Sequence, residues 1–476
     1  MSKKHIAKTK YEKNIAYIEE KLSHNYDLVY RQIQTSEGCI TAVYVSNLCD
    51  ISYISEYIIT PLIQVKKMTC DVEKIESEIL SACMVERIDS LEIMLIRILS
   101  GYVILLFSFN DTIVCCDAST YDARAIEEPP TEVVIKGPRE GFTENISQNV
   151  SLMRKKIRNV DLKFEKLLLG EQSNTTVILV YIENKTPKQL IEFVRSQLES
   201  IDVEAVLDPN YIEEKLKAKN TAFDTIGYTE KPDVAVNKVM EGRVAILADS
   251  SPFVATAPHF FIEELNMADD YYLNKYPQNY FRLIRWAALL IALLLPSLYL
   301  ALTTYHFALI PSVFVFRLGV MRAGVPFPTV VEILVMMFFF QVLREAGIRL
   351  PQAIGPAISI VGALILGDAA IRSGLASEIT VLVVALSSIS LFLIPKLYGA
   401  ITIWSNIMLL FSAFLGLPGF FTGFIVCCSH IASLESCGYP YLYPLGTLSR
   451  FSFKDHFIRD DLHDISGNIL KEDEQG

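Results

Sequence analysis

Composition changes abruptly near Leu283, and that change constrains the fold more than any other feature. From there to about Cys428 the residues are mostly Leu, Ile, Val, Phe, Ala and Gly, whereas up to about Gln278 they read as mixed globular protein. The whole chain is 51% hydrophobic over 476 residues, and one solvent cannot suit both parts. Trp286–Thr304 holds 19 residues without a charge. As a helix this segment spans about 28 Å, enough to cross a hydrocarbon core. Arg282 and Arg285 precede it, which places that end in the cytoplasm. Three more apolar stretches follow, Ile354–Gly367, Ile379–Ile394 and Ile401–Cys428. They are punctuated by Gly and Pro, which membranes tolerate where neighbouring helices or a wet cavity satisfy the freed backbone.

The first half alternates strand-like and helical runs. Tyr102–Phe107 and Thr112–Cys116 flank the turn pair Asn110-Asp111 and predict a hairpin. Leu91–Phe109 has the length of a membrane span, but Glu92, Arg97 and Gly101 interrupt it, so strand–turn–strand is expected. Thr175–Ile182, helical Pro187–Leu198 and Val203–Leu207 form a strand–helix–strand signature. The polar stretch Asp122–Arg158 separates two small regions. The expectation is an α/β soluble N-terminal region of two small subdomains plus an all-α transmembrane helical bundle. The boundaries expected are 1–135 and 136–278 for the cytoplasmic α/β subdomains, 279–445 for the transmembrane helices, and 446–476 for a polar C-terminal tail.

A net charge of −11 without a basic stripe argues against nucleic acid as a partner. Nine cysteines show no C-x-x-C and no repeated spacing, which fits a reducing compartment and buried thiols. Met1–Asn14 is polar and basic with no apolar run behind it, so no secretory signal is expected and the N-terminal half belongs in the cytoplasm. P-loop, G-x-G-x-x-G, G-x-S-x-G and H-E-x-x-H patterns are missing, and the seven histidines are scattered. No catalytic residue, cofactor or metal is expected, and the chain is not read as an enzyme.

Pro326–Pro351 is the most informative stretch. Pro328 suits the first turn of a helix, Gly347 its C-terminal cap, and Pro351 cannot continue it. Glu332 falls one turn in, and an intramembrane carboxylate normally faces a protein interior, a partner or water. Two readings stay open: Glu332 lines an ion path or polar cavity, or it marks a polar helix end at the headgroup boundary. Arg344, Glu345 and Arg349 read as an interfacial ion-pair cluster or a ligand site. Gly355, Ser359, Ala363 and Gly367 recur every fourth residue, a stripe of small side chains on one helix face. Such a stripe lets helices pack closely, or in an oligomer faces a narrow pore. Asp368 and Arg372, four apart, can pair with each other.

These residues resemble a known family, the GerA-type A subunits of germinant receptors in endospore-forming bacteria. The resemblance runs through most of the chain beyond about residue 90. It is carried by EPPTEVVIKGPREGFTENISQNVSLMRKKI (128–157), TEKPD (229–233), EGRVAILADSSPFV (241–254) and DDYY (269–272), by LREAGIRLP and IGPAISIVGALILGDAAIRSGLAS, and by GYPYLYP (438–444). Gln341 stands where the family usually has Glu. The resemblance implies an integral protein of the spore inner membrane. Its expected partners are a B subunit, transporter-like and nutrient-binding, and a C lipoprotein. It also implies a homo-oligomer, seated in membrane lipid, that forms a nutrient-gated ion channel. A secondary transporter and a non-conducting membrane scaffold of the receptor complex are the competing readings.

Overall fold

Continuous apolar runs, buried on both faces, build the central strands of two antiparallel sheets in the N-terminal half. The computed structural model describes residues 9–65, 68–119, 129, 131–350, 355–445, 455–465 and 470, without the side chains of 356–360 and 464–465. Contacts divide the chain into two units: 1–217 with 226–258 and 466–476, and 218–225 with 259–465.

In the first unit, helix α1 (Lys10–Lys21) precedes β1 (Leu28–Gln34) and β2 (Cys39–Val45). Short helical turns α2 (Ile51–Tyr53), α3 (Thr60–Gln64) and α4 (Val72–Lys74) lead to β3 (Val85–Ile88), helix α5 (Leu91–Ile98), β4 (Tyr102–Phe107) and β5 (Ile113–Asp117). The strand order is β1-β2-β4-β5-β3. Both faces are covered. Ala42, Tyr44, Leu105 and Cys116 face Ile54, Ile58 and Ile75, while Val43, Ile104, Leu106 and Cys115 face Ile18, Met94 and Ile98. The adjacent thiols therefore point to opposite sides of one strand, and burial pushes Cys115 up to about 11 and Cys116 to about 12. All nine cysteines are free.

The expected hairpin is β4–β5. Leu91–Ile98, expected as a strand, is a helix. Met94, Leu95 and Ile98 share one buried face, while Arg97 turns outward to bond Glu86 at 2.7 Å. Gly101 then turns the chain into β4 with φ +88°, where a Cβ would meet the Leu48 carbonyl oxygen at 2.8 Å.

The second sheet comprises β6 (Leu162–Leu169), β7 (Thr175–Ile182), β8 (Gly227–Thr229), β9 (Val244–Ala248) and β10 (Val254–Ala257), in the order β6-β7-β9-β10-β8. Helices α6 (Ile146–Lys156), α7 (Lys188–Glu199), α8 (Asn210–Leu216) and α9 (Pro232–Met240) accompany it. Val150, Met153, Ala235 and Val239 of α6 and α9 pack on Ile178, Val180, Ala245 and Leu247. The polar stretch expected to separate the regions thus contributes a core helix, α6. Val203–Leu207, expected as a strand, is irregular. Only Val206 is buried, its backbone bonded to Ser173 and Thr175 side chains, and Leu207 points to the surface.

The second unit is helical: α10 (Asp269–Tyr272), α11 (Lys275–Thr304), α12 (Ser312–Arg322), α13 (Thr329–Arg349), α14 (Gly355–Arg372), α15 (Glu378–Phe392), α16 (Tyr398–Leu415) and α17 (Leu417–Ser433). Its longer segment begins at His259, earlier than the expected boundary after residue 278. Phe261 and Leu265 pack with Leu289 and Leu293 of α11 rather than on a sheet. Ile401–Cys428 is two helices, because Gly416 (φ +66°) and Pro418 break the run. α13 passes through Gly347 to Arg349, so that glycine is not a cap. α11 and α16 meet the 18-residue length and apolarity of a membrane span. Part of the expected tail, 455–465, lies against the start of α11, where Lys275 pairs with Asp461 at 2.8 Å.

Candidate functional site

Ser377 caps α15, its hydroxyl accepting from the Thr380 amide at 3.4 Å. The cap and the first turn it opens hold one acidic side chain. Glu332, in the first turn of α13, is 1% exposed. Its Oε2 accepts from the Ser377 amide at 2.9 Å and from the Thr380 hydroxyl at 3.0 Å, and its Oε1 accepts from Arg322 of α12 at 3.3 Å. Thr380 also lies 3.3 Å from the Tyr299 hydroxyl of α11. Glu332 thus faces a protein interior, where the N-terminal end of α15 and one guanidinium compensate its charge. One carboxylate ties α12 and α15 to α13, and Thr380 extends the group to α11. Among the described residues the bonds to Glu332 come from one amide, one hydroxyl and one guanidinium, so its chemistry is that of a latch or a single polar site.

The other expected positions separate. Glu345 pairs with Arg349 at 2.6 Å and Asp368 with Arg372 at 2.8 Å, both exposed pairs four residues apart. Arg344 does not join the expected cluster; it stacks on the ring of Tyr398, whose hydroxyl donates to Gln341. In the small-residue stripe, a Cβ on Gly355 would meet the Gly347 carbonyl at 2.5 Å and one on Gly367 would touch Val381 at 3.7 Å, so both ends lie in close helix contacts. Ala363 is half-buried, and the side chain of Ser359 lies outside the described residues.

A second ionic centre was not expected. Asp270 of α10 is buried with Arg282 and Arg285 of α11, and Arg282 Nε donates to it at 3.0 Å. Arg282 also reaches Asp455 at 2.7 Å, and Arg459 donates to the Asp270 carbonyl at 2.6 Å. Arg282 and Arg285, read from sequence as marking the cytoplasmic end of a span, are paired inside the unit. Ser377 had a legible signal, a cap before an apolar run; Arg322, Thr380 and Tyr299 had none.

The model of the Bacillus/Clostridium GerA spore germination protein family matches residues 16–467. The chain belongs to this family. Spore germination protein KA of Bacillus subtilis (strain 168) is 35% identical over 455 residues, 94% of this chain and 84% of that protein. Spore germination protein GerLA of Bacillus cereus is 32% identical, covering 93% of this chain and 91% of its own. An uncharacterized membrane protein of Bacillus subtilis, YfkQ, is 34% identical over 91% of this chain and 85% of its own. The solved N-terminal domain of the A subunit of the Bacillus megaterium spore germinant receptor GerK3 is similar over 52% of this chain and 94% of that domain, at 26% identity and a TM-score of 0.42.

In this GerA family member the sequence blocks that carry the resemblance meet in space. Glu132 accepts from the Thr229 hydroxyl at 2.5 Å and the Glu230 amide at 3.1 Å, and Lys231 donates to the Pro138 carbonyl at 2.6 Å. Arg154 of the same block is buried and forked on Asp27, through Nε at 2.9 Å and Nη2 at 2.6 Å, with its guanidinium 4.2 Å from the Phe164 ring centre. This pair joins the two sheets of the first unit. Burial, with the Asp27 charge beside it, pushes the Tyr26 hydroxyl up to about 12.

Proposed function

We propose that this chain is the A subunit of a nutrient germinant receptor in the spore inner membrane, anchored by its helical unit and oligomerising into a nutrient-gated ion channel. It acts without catalysis, beside a transporter-like, nutrient-binding B subunit and a C lipoprotein, with its N-terminal half in the cytoplasm. Family membership supports the germination role. The observation that carries the membrane part is the inverted polarity of the helical unit. Phe316 is 74% and Phe414 79% exposed, with Leu364 and Ile425 similarly outward, while Glu332, Ser377 and Thr380 are buried. Water does not stabilise so much exposed apolar surface on a folded unit, and lipid does.

The ion path proposed runs beside α14, where Ser359 and Ala363 occupy the middle of the stripe, with Glu332 latching the surrounding helices. Replacing Ala363 with Trp in a receptor reconstituted with its B and C partners tests this. Ion flux on nutrient addition should fall sharply with assembly unchanged. Unaltered flux with normal assembly would remove Ala363 from the path, and silent single-channel recordings of the wild-type complex would leave only a scaffold.

A further inference from the structure

α12 is the least covered helix of the second unit. It buries no residue fully, and Val313, Phe314, Phe316 and Val320 are each more than half exposed. A Cβ at Gly319 would meet nothing within 4 Å. Its polar residues do not form one face. Successive residues turn by about 100°, so Ser312, Arg317 and Arg322 are spread around the axis. A helix lying on a membrane surface needs a polar face, and α12 has none.

Its two arginines differ. Arg322 bonds Glu332 within the unit. Arg317 is displaced about 140° around the axis from Arg322 and so cannot share that carboxylate. It is exposed, and among the described residues its side chain has no ion-pair or hydrogen-bond partner. Leu318 next to it packs inward on the buried cluster that includes Ile333 and Val384. The opposite charge is present in the same unit. Glu378, the first residue of α15, is exposed and equally without a side-chain partner among the described residues. It adjoins Ser377, whose amide holds Glu332. Arg317 lies five residues before Arg322, and Glu378 one residue after Ser377, so each sits near a group that bonds Glu332 and neither pairs with the other in this chain. Lipid tails leave both charges uncompensated.

We infer that the exposed side of α12 is an interface with a second copy of this chain, in which Arg317 of one copy pairs with Glu378 of the next. Different surfaces of the two copies meet, so the contact is head-to-tail and closes into a ring when the rotation permits. Phe316 and Val320 flank the pair and exclude water from it. The inference rests on the oligomer proposed above and names the contact that makes it.

Charge reversal tests it on the full-length chain in lipid nanodiscs or mild detergent, with size measured by light scattering. Arg317→Glu alone and Glu378→Arg alone should each collapse the oligomer to smaller species. The double variant, R317E with E378R, should restore the wild-type size. Arg317→Lys serves as the folding control and should keep the oligomer. Single variants that assemble normally would overturn this interface while leaving an oligomer standing. Loss in the singles without rescue in the double would overturn the pairing. If that loss also followed the anionic lipid content, Arg317 would belong to a headgroup instead. A wild-type chain that stays monomeric at every concentration would overturn the interface and the channel reading together.

Discussion

Each unit buries a carboxylate, and the two solutions differ. In the first, Asp27 is gripped by the fork of Arg154, a compact bidentate pair walled by Phe164 and Asn25. In the second, Glu332 is shared among a backbone amide, a hydroxyl and one longer arginine contact at 3.3 Å. Apolar side chains follow the opposite trend. The sheets keep theirs on covered faces, whereas the helices hold Phe316, Leu364 and Phe414 outward. The helical unit thus leaves large apolar side chains outward where the sheets cover theirs. Glu332 is satisfied by whichever helices surround it, while Asp27 has a dedicated partner.

The comparison can be broken at the Arg154 fork first. Arg154→Met leaves Asp27 buried and unpaired, which costs on the order of 3–5 kcal/mol. Hydrogen exchange should show lost protection in both β1 and β6, and adding Asp27→Asn should recover part of it. Unchanged protection would mean that the pair does not hold the two sheets together.

A smaller loss is expected at the shared carboxylate. Glu332→Ala orphans the Ser377 amide and removes one partner of the Thr380 hydroxyl, about 1–3 kcal/mol for a group left unsatisfied. Glu332→Gln keeps an acceptor for α15 and should cost less. A thermal melt of the detergent-solubilised chain gives the ranking. Equal destabilisation by both variants would show that charge, not hydrogen bonding, holds the helices.

The smallest effect concerns a carboxylate with neither kind of support. Both oxygens of Asp233 are buried without a hydrogen-bond partner among the described residues, and the Lys231 ammonium is 3.9 Å away. Burial raises its carboxyl above the ordinary value, with Lys231 opposing. A raised folded-state value means that the folded chain holds the proton more tightly than the unfolded one. Ionisation therefore lowers stability as pH climbs from about 4, the unfolded value, through the folded value. Asp233→Asn should melt higher than wild type at neutral pH, with the gap closing below about pH 4. Parallel melting curves across pH would contradict this.

Much of this arrangement was legible before any coordinates. The β4–β5 hairpin followed from a turn pair between apolar runs, and the span of α11 from uninterrupted apolar length. Failures came where tertiary contacts decide. Leu91–Ile98 has a composition that suits a strand or a helix, and the covered face of the first sheet selected the helix. Arg344 and Arg349 are five residues apart on one helix, but the ring of Tyr398, brought in by another helix, took one of them away. Nothing local marks Asp270 as the partner of two arginines, because hydrogen bonding between elements leaves no periodicity in sequence.

By itself, then, the sequence determined which half is mostly apolar and helical and which family the chain joins, since these depend on local apolar density and on contiguous residue patterns. Tertiary structure alone decided where the charges go. A buried ion is stabilised only by groups that converge on it in space, and the donors to Glu332 come from α12 and α15, the latter 45 residues away or more along the chain.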